Sequence, residues 1–108
     1  MTEEAVQVET FANISEVIDP PEDGILSRTV VRNDKIRAVL FGFAKDEELS
    51  EHTAAVPAIM HILKGRAQLT VGEDRQDGIP GTWVLMPAHM PHSVTALEPT
   101  VMLLILLR

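Results

Sequence analysis

The chain reads as a succession of short apolar runs, each closed by a turn residue. Residues 27–31 and 36–44 are rich in Val, Ile and Phe and are parted by Asn33-Asp34, which predicts two strands joined by a turn. Residues 58–63 form the next apolar run, stopped by Lys64-Gly65. Residues 67–71 alternate and end at Gly72-Glu73-Asp74, a hairpin signal. Short strands follow at 83–86, closed by Pro87, and at 93–96 after Pro91, and the run VMLLILL (101–107) closes the chain. Asp77-Gly78 and Pro80-Gly81 read as turns, and Asp46, Glu47, Glu48 and Glu51 as an acidic, solvated loop. Residues 1–27 read as irregular, with Asp19-Pro20-Pro21-Glu22-Asp23-Gly24 as a stiff turn.

Strands this short, with turn signals about every eight to twelve residues, predict an all-β sandwich or barrel. The final run departs from simple alternation, because it is apolar at every position. A strand with one solvated face would carry polar residues at alternate positions. One face is therefore expected to fill the barrel and the other to meet a second sheet or a partner subunit, so a homodimer is expected.

Composition narrows the picture. A chain of 108 residues that is 45% apolar suits one globular domain, 1–108, rather than a disordered segment. The net charge of −7 argues against nucleic acid as a partner, since phosphate binding needs a basic surface. The absence of cysteine excludes disulfides, thiol nucleophiles and thiolate metal sites. The opening MTEEAVQVET is acidic and carries no export pattern, and 101–107 is too short to cross a bilayer. No membrane association and a cytoplasmic location are the resulting expectations.

The candidate chemistry lies in residues 50–65 and 81–92. Each joins a turn to an apolar strand and carries histidine, so a small barrel could bring imidazoles together. Competing constellations fail. Ser93 adjoins His92, but neighbours on a strand point to opposite faces. No HExxH spacing, phosphate-cradling glycine loop or dinucleotide fingerprint is present. Met86 and Met90 read as core or rim filler.

These two segments resemble the paired motifs of the cupin superfamily, and in particular its small single-domain members with a type-2 conserved barrel. In the first motif Gly65 and His52 match, while Ala54 stands at a histidine position and Ala58 at the glutamate position. In the second, Gly81, Pro87 and His92 match, while His89 replaces a glycine and Ala96 an asparagine. The similarity spans residues 36–107 and implies a double-stranded β-helix (jelly-roll) barrel. It also implies a divalent metal, Fe, Mn, Ni, Cu or Zn, held by three histidines and a glutamate. Of those four groups this chain keeps His52 and His92.

Strand parity then selects the pocket. If Ala58 points inward, so do Met60 and Ile62, and His92 shares a face with Val94 and Ala96. The expected ligand pocket is His52, Ala54, Ala58, Met60, Ile62, His92, Val94 and Ala96. Such a cavity suits a small apolar or carboxylate-bearing molecule. His52 and His92 are the metal candidates, with His89, read first as a turn residue, and His61, read as facing away, as weaker ones. Three functions fit: small-molecule binding, with or without a divalent metal on the two histidines; a metal-dependent oxygenase or isomerase; or a non-catalytic ligand-sensing module.

Overall fold

Period-two alternation gives each strand an inner and an outer face, and the inner faces decide how the chain packs. The computed structural model describes residues 8–108. The first part of the acidic N-terminal stretch, residues 1–7 of the segment read as irregular and export-free, lies outside them. The described residues form nine strands: β1 (Ile25–Arg32), β2 (Ile36–Phe43), β3 (Glu48–His52), β4 (Ala58–Lys64), β5 (Ala67–Val71), β6 (Asp74–Gly78), β7 (Trp83–Met86), β8 (His92–Ala96) and β9 (Thr100–Leu107). They make two antiparallel sheets, ordered β1-β2-β9-β4-β7 and β3-β8-β5-β6. This is the expected all-β jelly-roll architecture, with the two sheets laid face to face. Among the described residues no helix is long and apolar enough to cross a membrane.

Two strands differ from the sequence expectation. The acidic stretch is not simply a loop: Glu48–His52 is an edge strand paired with β8 alone. The turn-rich DRQDG is likewise an edge strand, β6, paired with β5 alone, with only Gly78 buried. Both run against strand propensity. Edge strands tolerate charge on their free side, where it opposes pairing with another chain. Polar composition therefore hid them.

The core lies between the sheets. Ala58, Met60 and Ile62 from β4 meet Met102 and Leu104 from β9, Leu69 from β5 and Val94 from β8, all nearly inaccessible to solvent. The outer face of β9 has a cover that the sequence did not suggest. Ile14, Val17 and Ile18, within the segment read as irregular, pack with Leu40, Val101 and Leu103. A short 3-10 turn (Ile14–Glu16), capped by the Asn13 side chain accepting from the Ser15 N–H, holds that segment in place.

Gly65 shows why the turn after β4 is fixed. It has φ +82°, and a Cβ there would run into the Pro99 carbonyl and the Thr100 backbone.

The sandwich has two distinct ends. At one, Asp46 N–H bonds the Ala96 carbonyl (2.8 Å) and Ala96 N–H the Glu47 carbonyl (2.9 Å). At the other, His89 N–H bonds the Ala54 carbonyl (2.7 Å) and Leu107 N–H the Pro57 carbonyl (2.9 Å). The two candidate motifs meet at this second end.

Candidate functional site

β3 and β8 bring His52 and His92 together as direct cross-strand partners. Their ring centroids lie 4.1 Å apart at an interplanar angle of 60°. A β-bulge makes this possible. Leu49 pairs with Val94 and His52 with His92, so β3 spends three residues where β8 spends two. Without the extra residue, Leu49 and His52 would face opposite sides; with it, both turn inward.

Each ring is oriented by the backbone two residues upstream. His92 Nδ1 lies 2.8 Å from the Met90 carbonyl and His52 Nδ1 lies 2.9 Å from the Ser50 carbonyl. A carbonyl only accepts, so both Nδ1 atoms carry the proton and donate. The Nε2 lone pair of each neutral ring is left for a ligand. His92 is only 4% exposed. Burial pushes its pKa below the ordinary histidine value; the Met90 hydrogen bond opposes that, and the neighbouring His52 adds to the lowering.

The other residues expected at the site divide by their position along the strands. Ala58 is buried at the start of β4, level with Met86 and Leu106, at the end where the imidazoles lie. Ala54 lies in the β3–β4 connection and is tied by its carbonyl to His89. Met60 and Val94 sit one inward position deeper, as floor. Ile62 and Ala96 are not brought to the imidazole pair. Each is four residues further along its strand, about 13 Å at the usual strand rise, and fills the core near the opposite end. Parity fixes a side chain's face but not its depth.

His89 occupies the β7–β8 turn with φ +67°, its side chain exposed and its N–H used to hold Ala54. His61 sits on the outer face of the five-stranded sheet, opposite Trp83 and Leu103. Neither joins the pair, and among the described residues no group of three His, Cys, Asp or Glu side chains could hold a metal ion. A divalent ion is normally retained by three or four protein donors. With alanine at 54 and 58 this site offers two, so the residues present do not fit a tightly held metal.

One residue was missed in the sequence. The inward row of β2 runs Arg37, Val39, Phe41, Phe43, and Arg37 pairs in register with Leu106 and through it with Ala58. Arg37 thus stands in the inner row at the imidazole end, and its side chain leans toward Thr29 of β1. Its Nε is buried without a hydrogen-bond partner, and its Nη2 reaches Thr29 Oγ1 only at 3.4 Å. The signal was available: a lone charge in an otherwise apolar inward row.

Among protein-family models and among curated proteins, nothing matches the chain. Solved structures do resemble it. The chain is similar to a cupin superfamily protein from Desulfitobacterium hafniense, with 26% identity and a TM-score of 0.84 over 99% of this chain and 98% of that one. It is similar to a conserved protein of unknown function from Streptococcus pyogenes, at 29% identity and TM-score 0.79 over 99% and 90%. A cupin 2 conserved barrel domain protein from Leptotrichia buccalis matches at 29% identity and TM-score 0.80, over 87% of this chain and 46% of that one.

Proposed function

This chain has the cupin fold, and from it we propose that the protein binds a small organic molecule between its two sheets, at the end where His52 and His92 meet. The observation that carries the reading is the pair of Nδ1–carbonyl hydrogen bonds, which leaves an Nε2 lone pair free on each of two neighbouring rings. Two adjacent acceptors select a ligand group that donates, such as a hydroxyl or an enol O–H. Ala54 and Ala58 leave room where larger donor side chains would stand, and Met60 and Val94 close the floor with apolar surface.

The role is recognition. A divalent metal would use the same Nε2 lone pairs, but two donors retain one poorly, which disfavours a metal-dependent oxygenase or isomerase. The reading is tested by long-range 1H–15N spectra of the histidine rings during a screen of small hydroxylated compounds. Binders should move the Nε2 resonances of His52 and His92 and leave His61 in place. Binders that move His61 and the Trp83 indole instead would overturn it.

We further infer that two copies pair through the outer face of β4, β7 and the part of β9 near Ile105 that the N-terminal segment leaves uncovered. Trp83 and Leu85 are each 55% exposed, and in register beside Leu85 run Ile59 and Ile105, with His61 beside Trp83. The outward positions of these strands carry no carboxylate and Glu16 beside them is paired with Lys64, so on a chain of net charge −7 a second copy can meet the face without unpaired like-charge contact. Sedimentation velocity tests this: a monomer at micromolar concentration would sink it.

A further inference from the structure

We propose that Arg37 sets the class of ligand the site accepts: a small carboxylate, held by the guanidinium at one end and by the imidazole pair at the other. This rests on the pocket reading above and goes beyond it by fixing the charge of the ligand.

The argument starts from topology. β3 follows β2 directly in the chain and belongs to the opposite sheet, so the edge that carries His52 folds over the β1–β2 side. Arg37 occupies the inward row of β2 at the imidazole end. Facing sheets stand about 10 Å apart. A ligand a few carbons long spans that gap, with a hydroxyl against Nε2 of His52 and His92 and a carboxylate against Arg37.

Arg37 is itself unmatched. Among the described residues the ion pairs are Lys64–Glu16 and Arg66–Asp77, and neither includes it. Its cross-strand neighbour is another cation, Arg32, and like charges placed opposite one another are unfavourable without an anion between or beside them. The buried Nε–H has no acceptor. A carboxylate in the plane of the guanidinium supplies one, since Nε and one Nη present two parallel donors to two oxygens.

The surrounding charge agrees. Arg32, Lys35, Arg37 and Arg108 gather at the β1–β2 hairpin, four of the chain's nine cations, with Asp34 as the acid among them. Arg108 is fastened there by Nη1 donating to the Asn33 carbonyl (2.7 Å) and by its N–H donating to the Lys35 carbonyl (2.8 Å). The other sheet presents Glu51, Glu73 and Asp74 at the same end. On an acidic protein this is a local inversion of sign, and it draws the anionic end of a ligand toward β2.

The test uses a panel of straight-chain and aromatic hydroxy acids, each paired with its primary amide, titrated into the full-length protein. Binding is followed by the ring 15N resonances of His52 and His92 and by the Arg37 Nε–H. The acids should bind about tenfold or more tighter than their amides and shift the Arg37 Nε–H. Arg37→Gln should remove that preference, and Arg37→Lys should restore part of it. Acids and amides that move the imidazoles equally would overturn the role of Arg37 and leave the pocket standing. Acids and amides that both leave the imidazoles unmoved would overturn the pocket reading, and this proposal with it. Should Arg37→Gln fail to fold, the wild-type Arg37 Nε–H shift and the weakening of acid binding by added salt decide the matter. A wild-type Nε–H that does not respond to bound acid refutes it.

Discussion

Acidification strikes this site through one buried ring. His92 is neutral in the folded protein and held below its ordinary pKa, chiefly by burial, with His52 adding to the effect. In the unfolded chain it titrates at about 6.5. Above that pH neither state carries the proton and nothing is gained or lost. As pH falls below it, the unfolded chain takes up a proton that the native state resists, and stability declines until the folded pKa is passed. One such proton costs at most about 1.4 kcal/mol per pH unit. The geometry supports a loss of that order. Unit charges at the 4.1 Å ring separation repel by about 1 kcal/mol in water and about 4 kcal/mol at an effective dielectric of 20. Because His52 is partly exposed, the lower part of that range applies. Urea unfolding at pH 8, 6.5 and 5.5, followed by far-UV circular dichroism, should show the wild type losing about 1 kcal/mol between the last two. Stopping at pH 5.5 keeps ordinary carboxylates out of the window. His92→Asn retains a donor for the Met90 carbonyl without a titrating ring, and its stability should stay nearly level over the same interval. A wild-type profile that matches the His92→Asn profile would refute the reasoning.

Three further outcomes follow from the packing and the donor count. Ala54→His with Ala58→Glu should raise zinc or nickel content after purification from well below one equivalent to about one, as measured by elemental analysis. Ile62→Ala should lower stability by about 2–5 kcal/mol in urea, since Ile62 is fully buried in the inter-sheet core. Trp83→Glu should shift sedimentation velocity from dimer to monomer and leave far-UV circular dichroism unchanged.

The architecture was legible because the strong signals are local. The apolar run 58–63, the alternation in 67–71 and the glycine and proline stops between runs place seven of the strands. Edge strands were lost because solvation outweighs pairing in their composition. Glu48, Ser50 and Glu51 face water, and only Leu49 and His52 betray the inward side, at a spacing of three that a regular strand forbids. The bulge that reconciles that spacing is a tertiary feature. The same limit explains the site. Parity put Ala58, Met60 and Ile62 on one face, yet Ile62 lies too deep to reach the imidazoles. Arg37 is inconspicuous for the opposite reason: residues 36–44 read as a good strand, and one charge in its inner row leaves that pattern intact.

The two alanines change the chemistry of the site without touching what holds the fold. Position 54 lies in a connection and uses its carbonyl, not its side chain, to meet His89. Position 58 is a buried, inward position at the very start of β4, where alanine keeps the alternation of the strand. The sheets are set by the rows of Met, Leu, Ile and Val beneath, and by Gly65 where a side chain would meet Pro99. Alanine at these two positions therefore costs the sandwich little, and on the proposed reading the imidazoles serve as a pair of acceptors. In a metal-bearing site the ion would be the positive group at this end. Here a positive group at the same end of the inner face is Arg37, unmatched by any described carboxylate. On the proposed reading, an anion that a metal would have attracted is still attracted, by a charge displaced across the gap to the facing sheet. That displacement sets the length of the ligand as well as its sign.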